Sequence, residues 1–195
     1  MSYYGRLNYM FDNRYMFEFN LRYDGSSRFI DKWGVFPSVS GAWRISEEKF
    51  MKNVTWLDNL KLRLSYGKLG NESIGQQYAA SDELSLNGKY NFNNSLVGMA
   101  AVTKLANKKT SWESSEQYNI GLDFSTLNDR LGGSIDVYRK HTADMLWNYT
   151  VPVPPNLYNQ TLANVGKMRN TGIEIAINAV PVRTKDFEWK TTVTA

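Results

Sequence analysis

The sequence lacks the residues on which most catalytic and metal-binding sites depend. Its 195 residues include no cysteine and a single histidine, His141. The absence of cysteine excludes disulfides, thiol nucleophiles and cysteine-ligated zinc, and one histidine argues against a histidine triad or a multi-histidine metal site. We therefore predict a protein that is not an enzyme and that uses no metal and no cofactor.

Long apolar runs and clustered charge are also missing. The longest apolar run, Val97–Val102, is far shorter than the roughly 18 residues that a transmembrane helix requires. The 23 basic and 19 acidic residues are nearly balanced, and no stretch is basic enough to follow a phosphate backbone. Nucleic acid is therefore not expected as a partner. Disorder is excluded by the 42% hydrophobic and 14% aromatic content.

The chain does have a clear period of two, which is typical of β-strands with one apolar and one polar face. Five candidate strands show it most clearly. Their apolar faces carry no charge and consist of Tyr15, Phe17, Phe19, Leu21, Tyr23; Leu60, Leu62, Leu64, Tyr66; Tyr118, Ile120, Leu122, Phe124; Ile173, Ile175, Ile177; and Phe187, Trp189, Val193. With three weaker candidates, the pattern predicts an all-β, antiparallel fold of about eight strands. A short helix capped by Ser46 is the one helical prediction.

Two further patterns favour a membrane barrel. Tyr15 and Tyr23 lie eight residues apart, which in a strand tilted by roughly 40° spans about 20 Å, close to the ~25 Å apolar band between the aromatic girdles of such barrels. Tight turns, such as Asp12–Arg14, also alternate with long links of about 12, 50 and 30 residues after Asp24, Tyr66 and Lys140. Short periplasmic turns and long outer loops are typical of an outer-membrane barrel.

Read in order, several sequence blocks resemble the C-terminal barrel region of the SusC/RagA family of TonB-dependent outer-membrane transporters. The blocks are Leu21–Phe29, Trp33–Glu48, Leu60–Gly67 with Gly70 and Asn71, Trp112–Glu113, Asn119–Phe124, Asp136–Lys140 with Thr142 and Asp144, Pro152–Pro154 and Asn164–Glu174. The stretch from Gly75 to Lys108 matches nothing specific, as expected of a variable outer loop.

The resemblance implies both a function and partners. SusC-like proteins import glycan fragments or peptides across the Gram-negative outer membrane, usually with a SusD-like lipoprotein as a lid. The TonB complex drives import by pulling on a plug domain. On this interpretation residues 1–195 are a partial barrel domain in contact with outer-membrane lipid, and the signal peptide, the plug and the terminal strands are expected to be absent from the sequence.

Candidate substrate contacts are the indoles predicted in or near the long loops, because an indole face can stack on a sugar ring. They are Trp33, Trp112 and Trp147. The block Asp24–Arg28 is expected to have a structural role, with Gly25 adopting an unusual backbone conformation and Asp24 pairing with Arg28 across the turn.

Alternation alone also fits two other folds. In a soluble carbohydrate-binding β-sandwich, the same apolar faces pack against each other and form a core. In a complete eight-stranded barrel, the polar faces fill a small interior, although the charges on those faces and the strand-like C-terminal end argue against this arrangement.

Overall fold

Strands account for most of the computed structural model, which describes residues 1–72 and 83–195. The ten strands are β1 (Ser2–Phe11), β2 (Tyr15–Gly25), β3 (Trp33–Arg44), β4 (Leu57–Asn71), β5 (Glu83–Phe92), β6 (Ser95–Lys104), β7 (Glu113–Thr126), β8 (Leu131–Thr150), β9 (Gln160–Arg183) and β10 (Glu188–Thr194). Two 3-10 turns, Ile45–Glu47 and Lys49–Met51, lie between β3 and β4. Among the described residues, no helix is long and apolar enough to cross a membrane.

Eight of the strands form one antiparallel sheet in the order β1-β2-β3-β4-β7-β8-β9-β10, and β5 and β6 form a separate hairpin. The prediction of an all-β, antiparallel fold is confirmed. A sandwich needs two sheets packed face to face, whereas these eight strands make a single sheet. β1 and β10 are its two edges, so the eight strands do not close into a small barrel.

The predicted turn at Asp12–Arg14 is present, and its backbone explains the residues found there. Asp12 and Asn13 have φ values of 50° and 51°, a left-handed conformation that Asp and Asn tolerate well. Leu127, Asn128 and Asp129 adopt a similar backbone between β7 and β8, with φ between 56° and 60°. Both turns lie at the same end of the sheet, which we call the turn end; the opposite end is the loop end.

The loop-end connections differ in length from the prediction. The prediction of a link of about 30 residues after Lys140 was wrong, because β8 continues to Thr150 and β9 begins at Gln160. Beyond an apolar band both faces of a strand meet water, so period-two alternation no longer reveals it. The long link after β4 contains the β5–β6 hairpin within the predicted variable loop 75–108. The part of that loop before residue 83 lies outside the described residues.

The register lines up the apolar side chains in continuous rows across the sheet. Leu64 pairs with Ile120, Ile120 with Val137, and Val137 with Ile173. A second row contains Leu62, Leu122, Ile135 and Ile175. Ile120 remains 55% exposed and Ile173 64% exposed. In a soluble fold so large an apolar surface would be covered, so we interpret this face as the lipid-facing, outer face of the sheet.

The upper limit of the apolar band shifts across the sheet as strand tilt requires. It falls at Tyr23 in β2, at Tyr66 in β4 and at Ile173 in β9; by register, Ile173 lies three rows nearer the turn end than Tyr23. Neighbouring rows are two residues apart along a strand. With a tilt of about 40°, they differ in height along the membrane normal by about 5 Å, and a step to the next strand changes the height by about 3 Å. The height difference of three rows therefore cancels that of the five strand steps from β2 to β9, and the apolar band stays level in a membrane.

Aromatic side chains lie at both ends of this band, as the Tyr15–Tyr23 spacing predicted. At the loop end the ring of Tyr23 stacks on Trp33, with centroids 4.6 Å apart, and Tyr3 stacks beside both. At the turn end Phe11 stacks on Tyr15, with centroids 6.5 Å apart. Such belts position a barrel at the two membrane interfaces.

The predicted helix capped by Ser46 was wrong. Arg44 occupies the N-cap position of the first 3-10 turn, and no side chain caps it. The region is organised by Glu48, which accepts hydrogen bonds from the Tyr15 hydroxyl at 2.5 Å and from the Trp43 indole at 3.0 Å. Arg14 adds an ion pair at 3.3 Å. Glu48 thus connects the turn-end girdle to the connector between β3 and β4.

We expect Glu48 to make stability depend on acid. The hydrogen bonds from Tyr15 and Trp43, with the charge of Arg14, lower the pKa of the Glu48 carboxyl below its ordinary value. The stabilisation is therefore complete above the unfolded pKa of about 4.3 and is lost as the pH falls through the lower folded value. In the intact protein, Glu48→Gln should lower the melting temperature at pH 7, and the difference should be smaller near pH 3.

The matched control is Glu47→Gln, because Glu47 lies next to Glu48, is exposed and makes no ion pair among the described residues. It should leave the melting temperature unchanged at both pH values. An equal loss of stability for Glu48→Gln at pH 7 and pH 3 would contradict the role assigned to the carboxylate.

Candidate functional site

The face opposite the apolar rows is polar, and several of its charges are paired across strands. Arg63 of β4 binds two carboxylates: its Nε donates to Asp123 of β7 at 3.0 Å, and its Nη2 donates to Asp136 of β8 at 2.9 Å. Lys61 Nζ lies 2.9 Å from Asp123. These four half-buried groups neutralise one another on what we call the inner face.

A glycine makes this network possible. Gly121 lies between Arg63 and Asp136 in the register, so the guanidinium reaches across β7 to β8 directly above it. A Cβ at Gly121 would overlap the Asp136 carboxylate and come within 2.7 Å of Arg63 Nη2. Only a residue without a side chain leaves room for the bridge.

Pairing on the inner face also changes the interpretation of the Asp24–Arg28 block. The predicted pair between Asp24 and Arg28 was wrong. Asp24 instead accepts a hydrogen bond from Ser2 and forms an ion pair with Arg22 at 2.7 Å, while Arg28 donates to the Glu72 carbonyl at 2.7 Å. Cross-strand and same-strand neighbours are nearer to Asp24 than the far side of the turn.

An aromatic cluster covers the inner face at the loop end. Phe29, from the β2–β3 loop, is 2% exposed, and Phe36 of β3 is 6% exposed. Their ring centroids lie 5.2 and 5.3 Å from that of Trp112, which directly precedes β7. The Phe36 ring lies above Gly34 and Gly70, where any Cβ would overlap it. This is the best-packed part of the described chain.

A polar recess of about 160 Å³ adjoins this cluster. Its lining combines the Arg22–Asp24 ion pair, Ser2 and the main chain near Gly70 with Trp112. The Trp112 indole nitrogen is buried and has no hydrogen-bond partner within the described part of the chain. An aromatic ring beside a fixed pair of opposite charges offers a surface for a polar, ring-containing ligand.

The segment before β7 is anchored at the same end of the sheet. The side-chain amide of Asn164 in β9 accepts a hydrogen bond from the Ser111 main-chain N–H and donates one to the Ser111 carbonyl, each at 3.0 Å. Asn107 donates to the Leu162 carbonyl at 2.8 Å. Leu162 is 6% exposed. Because Ser111 directly precedes Trp112, these bonds help to hold the indole over the recess.

The structure does not bring the three predicted indoles together. Trp33 and Trp147 lie in strands β3 and β8 and not in the long loops, because both strands extend further toward the loop end than the alternation indicates. Trp33 stacks with Tyr3 and Tyr23 on the apolar face, Trp112 lies on the inner face, and Trp147 is 68% exposed opposite Ala163. Substrate contact by any of them stays a prediction, and Trp112 has the most suitable surroundings.

A single antiparallel sheet with one continuous apolar outer face, aromatic belts and a polar inner face with cross-strand ion pairs is typical of the wall of a membrane β-barrel. The comparison with known families agrees. Residues 1–195 match the model of the family described as "TonB dependent receptor-like, beta-barrel", and the chain belongs to that family.

Individual relatives confirm the resemblance to SusC and RagA. The chain is 42% identical to the TonB-dependent receptor SusC of Bacteroides thetaiotaomicron, over 97% of the chain and 19% of SusC. It is 40% identical to the TonB-dependent receptor P39 of Formosa agariphila, over 97% of the chain and 18% of P39. The chain thus spans about a fifth of the length of these relatives.

Solved structures contain a similar sheet within longer chains. The RagAB peptide importer in its "open-open" state contains a chain that matches with a TM-score of 0.86 and 30% identity, over 99% of this chain and 21% of that one. The siderophore receptor PirA of Pseudomonas aeruginosa matches with a TM-score of 0.62 at 15% identity, which shows a shared fold. The named relatives are described as receptors or importers.

Proposed function

We propose that this chain forms part of the barrel wall of an outer-membrane importer that takes up glycan fragments or peptides. The observation that carries the proposal is the contrast between the two faces of the sheet. Apolar rows cover the outer face, whereas the inner face carries cross-strand ion pairs and, at its loop end, an aromatic-lined polar recess. Such an inner face suits the passage of a hydrated solute.

The relatives support the finer assignment. SusC is 42% identical to the chain, and RagAB is described as a peptide importer. In the proposed receptor a SusD-like lipoprotein closes the outer mouth, and the TonB complex acts through a plug domain in the remainder of the protein. The wall described here would contribute Trp112 and the recess near the mouth.

Uptake measurements test this function. In a bacterium that lacks the receptor gene, the full-length receptor should restore uptake of fluorescent oligosaccharides or of fluorescent peptides, and Trp112→Ala should reduce that uptake by about three- to tenfold through lost stacking. Trp112→Phe should retain most of the uptake, because a ring remains above the recess. Uptake of neither solute class above the level of the deletion strain would overturn the proposal.

Trp56→Ala is the matched control, because Trp56 is 66% exposed in the connector at the turn end, remote from the recess. It should leave uptake unchanged. Heat-modified mobility on gels should show equal amounts of folded receptor for all variants. Co-purification of a SusD-like lipoprotein with the receptor tests the partner separately.

A further inference from the structure

Above the apolar rows, the outer face of the sheet becomes basic. In the register, Lys68 of β4 pairs with Glu116, Glu116 with His141, and His141 with Arg169 of β9. Arg139 lies one row lower, in line with Tyr66 and Tyr118, and Lys167 follows Arg169 on the same face by alternation. We call Lys68, Arg139, His141, Lys167 and Arg169 the outer basic cluster.

The outer basic cluster lies next to the upper limit of the apolar band. Lys68 follows Tyr66 by two residues in β4, and Arg139 follows Val137 by two residues in β8, so each lies one row beyond the band. One row rises about 5 Å along a tilted strand, and the headgroup region adds about 5–8 Å to each side of the hydrocarbon core. Lys68 and Arg139 therefore lie at headgroup depth, and the cluster faces outward from the barrel.

The cations of this cluster are poorly neutralised by the protein. Glu116 is their one acidic neighbour in the row, and it contacts Lys68 at 3.6 Å. Arg139 and Arg169, both exposed, form no ion pair within the described part of the chain. On the inner face, by contrast, Arg6, Arg22 and Arg63 each have a carboxylate partner at 2.6 to 2.9 Å.

Cross-strand neighbours in this arrangement are close enough to share one anion. Opposite residues have Cβ atoms about 5 Å apart and diagonal ones about 7–8 Å apart, so Arg139, His141 and Arg169 can surround a single phosphate group. Arginine favours phosphate because its planar guanidinium donates two hydrogen bonds at once.

We propose that the outer basic cluster binds the phosphate of an anionic lipid headgroup in the outer leaflet. The inference rests on the proposed membrane location, since only a lipid-facing sheet presents the cluster to headgroups. Lipid phosphates at this site satisfy the two unpaired arginines and fix the vertical position of β7, β8 and β9 in the membrane.

Lipid titration tests the assignment. The detergent-solubilised full-length receptor is titrated with monophosphoryl lipid A, with the same lipid after removal of its phosphate, and with inorganic phosphate, and native mass spectrometry counts the bound lipid. We expect the phosphorylated lipid to bind more tightly than the dephosphorylated one. Arg139→Gln combined with Arg169→Gln should weaken that binding roughly 30-fold, at about fivefold per arginine near a charged surface.

The charge-matched control is Lys49→Gln combined with Lys52→Gln, because both lysines are exposed in the turn-end connector. It should leave lipid binding unchanged. Equal binding of the phosphorylated and dephosphorylated lipids, or equal loss in both double variants, would overturn the lipid site and leave the importer intact. Competition by millimolar inorganic phosphate alone would assign the site to the free anion. Failure of the receptor to enter the membrane would instead contradict the proposed function.

Discussion

Ile120→Arg should destabilise the folded barrel by about 1–2 kcal/mol, between the cost of an arginine at the bilayer midplane and the cost near the interface, because Ile120 lies on the lipid face one row below Tyr118. Ile120 lies in β7 between Leu64 and Val137, inside a continuous apolar row, and 55% of its surface is exposed. An arginine there has no cross-strand carboxylate to pair with, because its neighbours in the row are Leu64 and Val137. Urea unfolding of the full-length receptor in lipid vesicles measures the loss.

Asn119→Arg is the matched control, because Asn119 is the adjacent residue of the same strand but faces inward, opposite Ser65 and Tyr138. We expect a change well below 1 kcal/mol, since a long cation on the inner face remains in water. If both variants lost the same free energy, the two faces would not differ in solvent, and a water-exposed sheet would replace the barrel wall.

These two adjacent residues also show why the strands could be predicted from the sequence. Ile120 and Asn119 differ in polarity because one meets lipid and the other water, and the same contrast repeats at each clear strand. Strand type, strand number in the sheet and the outer face followed from that contrast. The loop-end parts of β8 and β9 could not be predicted in this way. Consecutive residues there, such as Arg139, Lys140 and His141, place polar side chains on both faces of the strand.

The inner-face site was harder to predict because it depends on register. Arg63, Asp123 and Asp136 each have the polar parity of their strand, but only the pairing of β4 with β7 and of β7 with β8 brings them together. The useful signal would have been opposite charges at matching positions of successive predicted strands, with a glycine between them. Asp24 shows the opposite error: a nearby Arg28 suggested a pair, whereas Arg22 and Ser2 are the real partners.

The two faces also use their charges differently, which links the site to the proposed lipid contact. Inside, Arg6, Arg22 and Arg63 each have a carboxylate partner. Outside, Arg139 and Arg169 form no ion pair within the described residues, and at the proposed lipid site their partner is a headgroup phosphate. A receptor that is removed from lipid should therefore lose order first along β8 and β9, which hydrogen exchange can measure in detergent and in vesicles.

Gly121→Val should destabilise the full-length receptor by about 2–3 kcal/mol, although valine favours β-strands. Its side chain would occupy the space above β7 that the Arg63 guanidinium crosses on its way to Asp136, so either the strand shifts or the ion pair opens. An opened pair leaves the half-buried Asp136 without its cation. The free energy of unfolding measured in urea and the melting temperature should both fall.

Two comparisons isolate the effect of the bridge. Gly67→Val places the same side chain on the inner face of β4, where its Cβ meets Ser38 at an ordinary 3.5 Å, and it should be neutral or slightly stabilising. Adding Arg63→Met to Gly121→Val removes the obstructed guanidinium, so the double variant should lose clearly less than the sum of the two single changes. Strict additivity would mean that the glycine and the arginine act independently, against the contact that the structure shows between them.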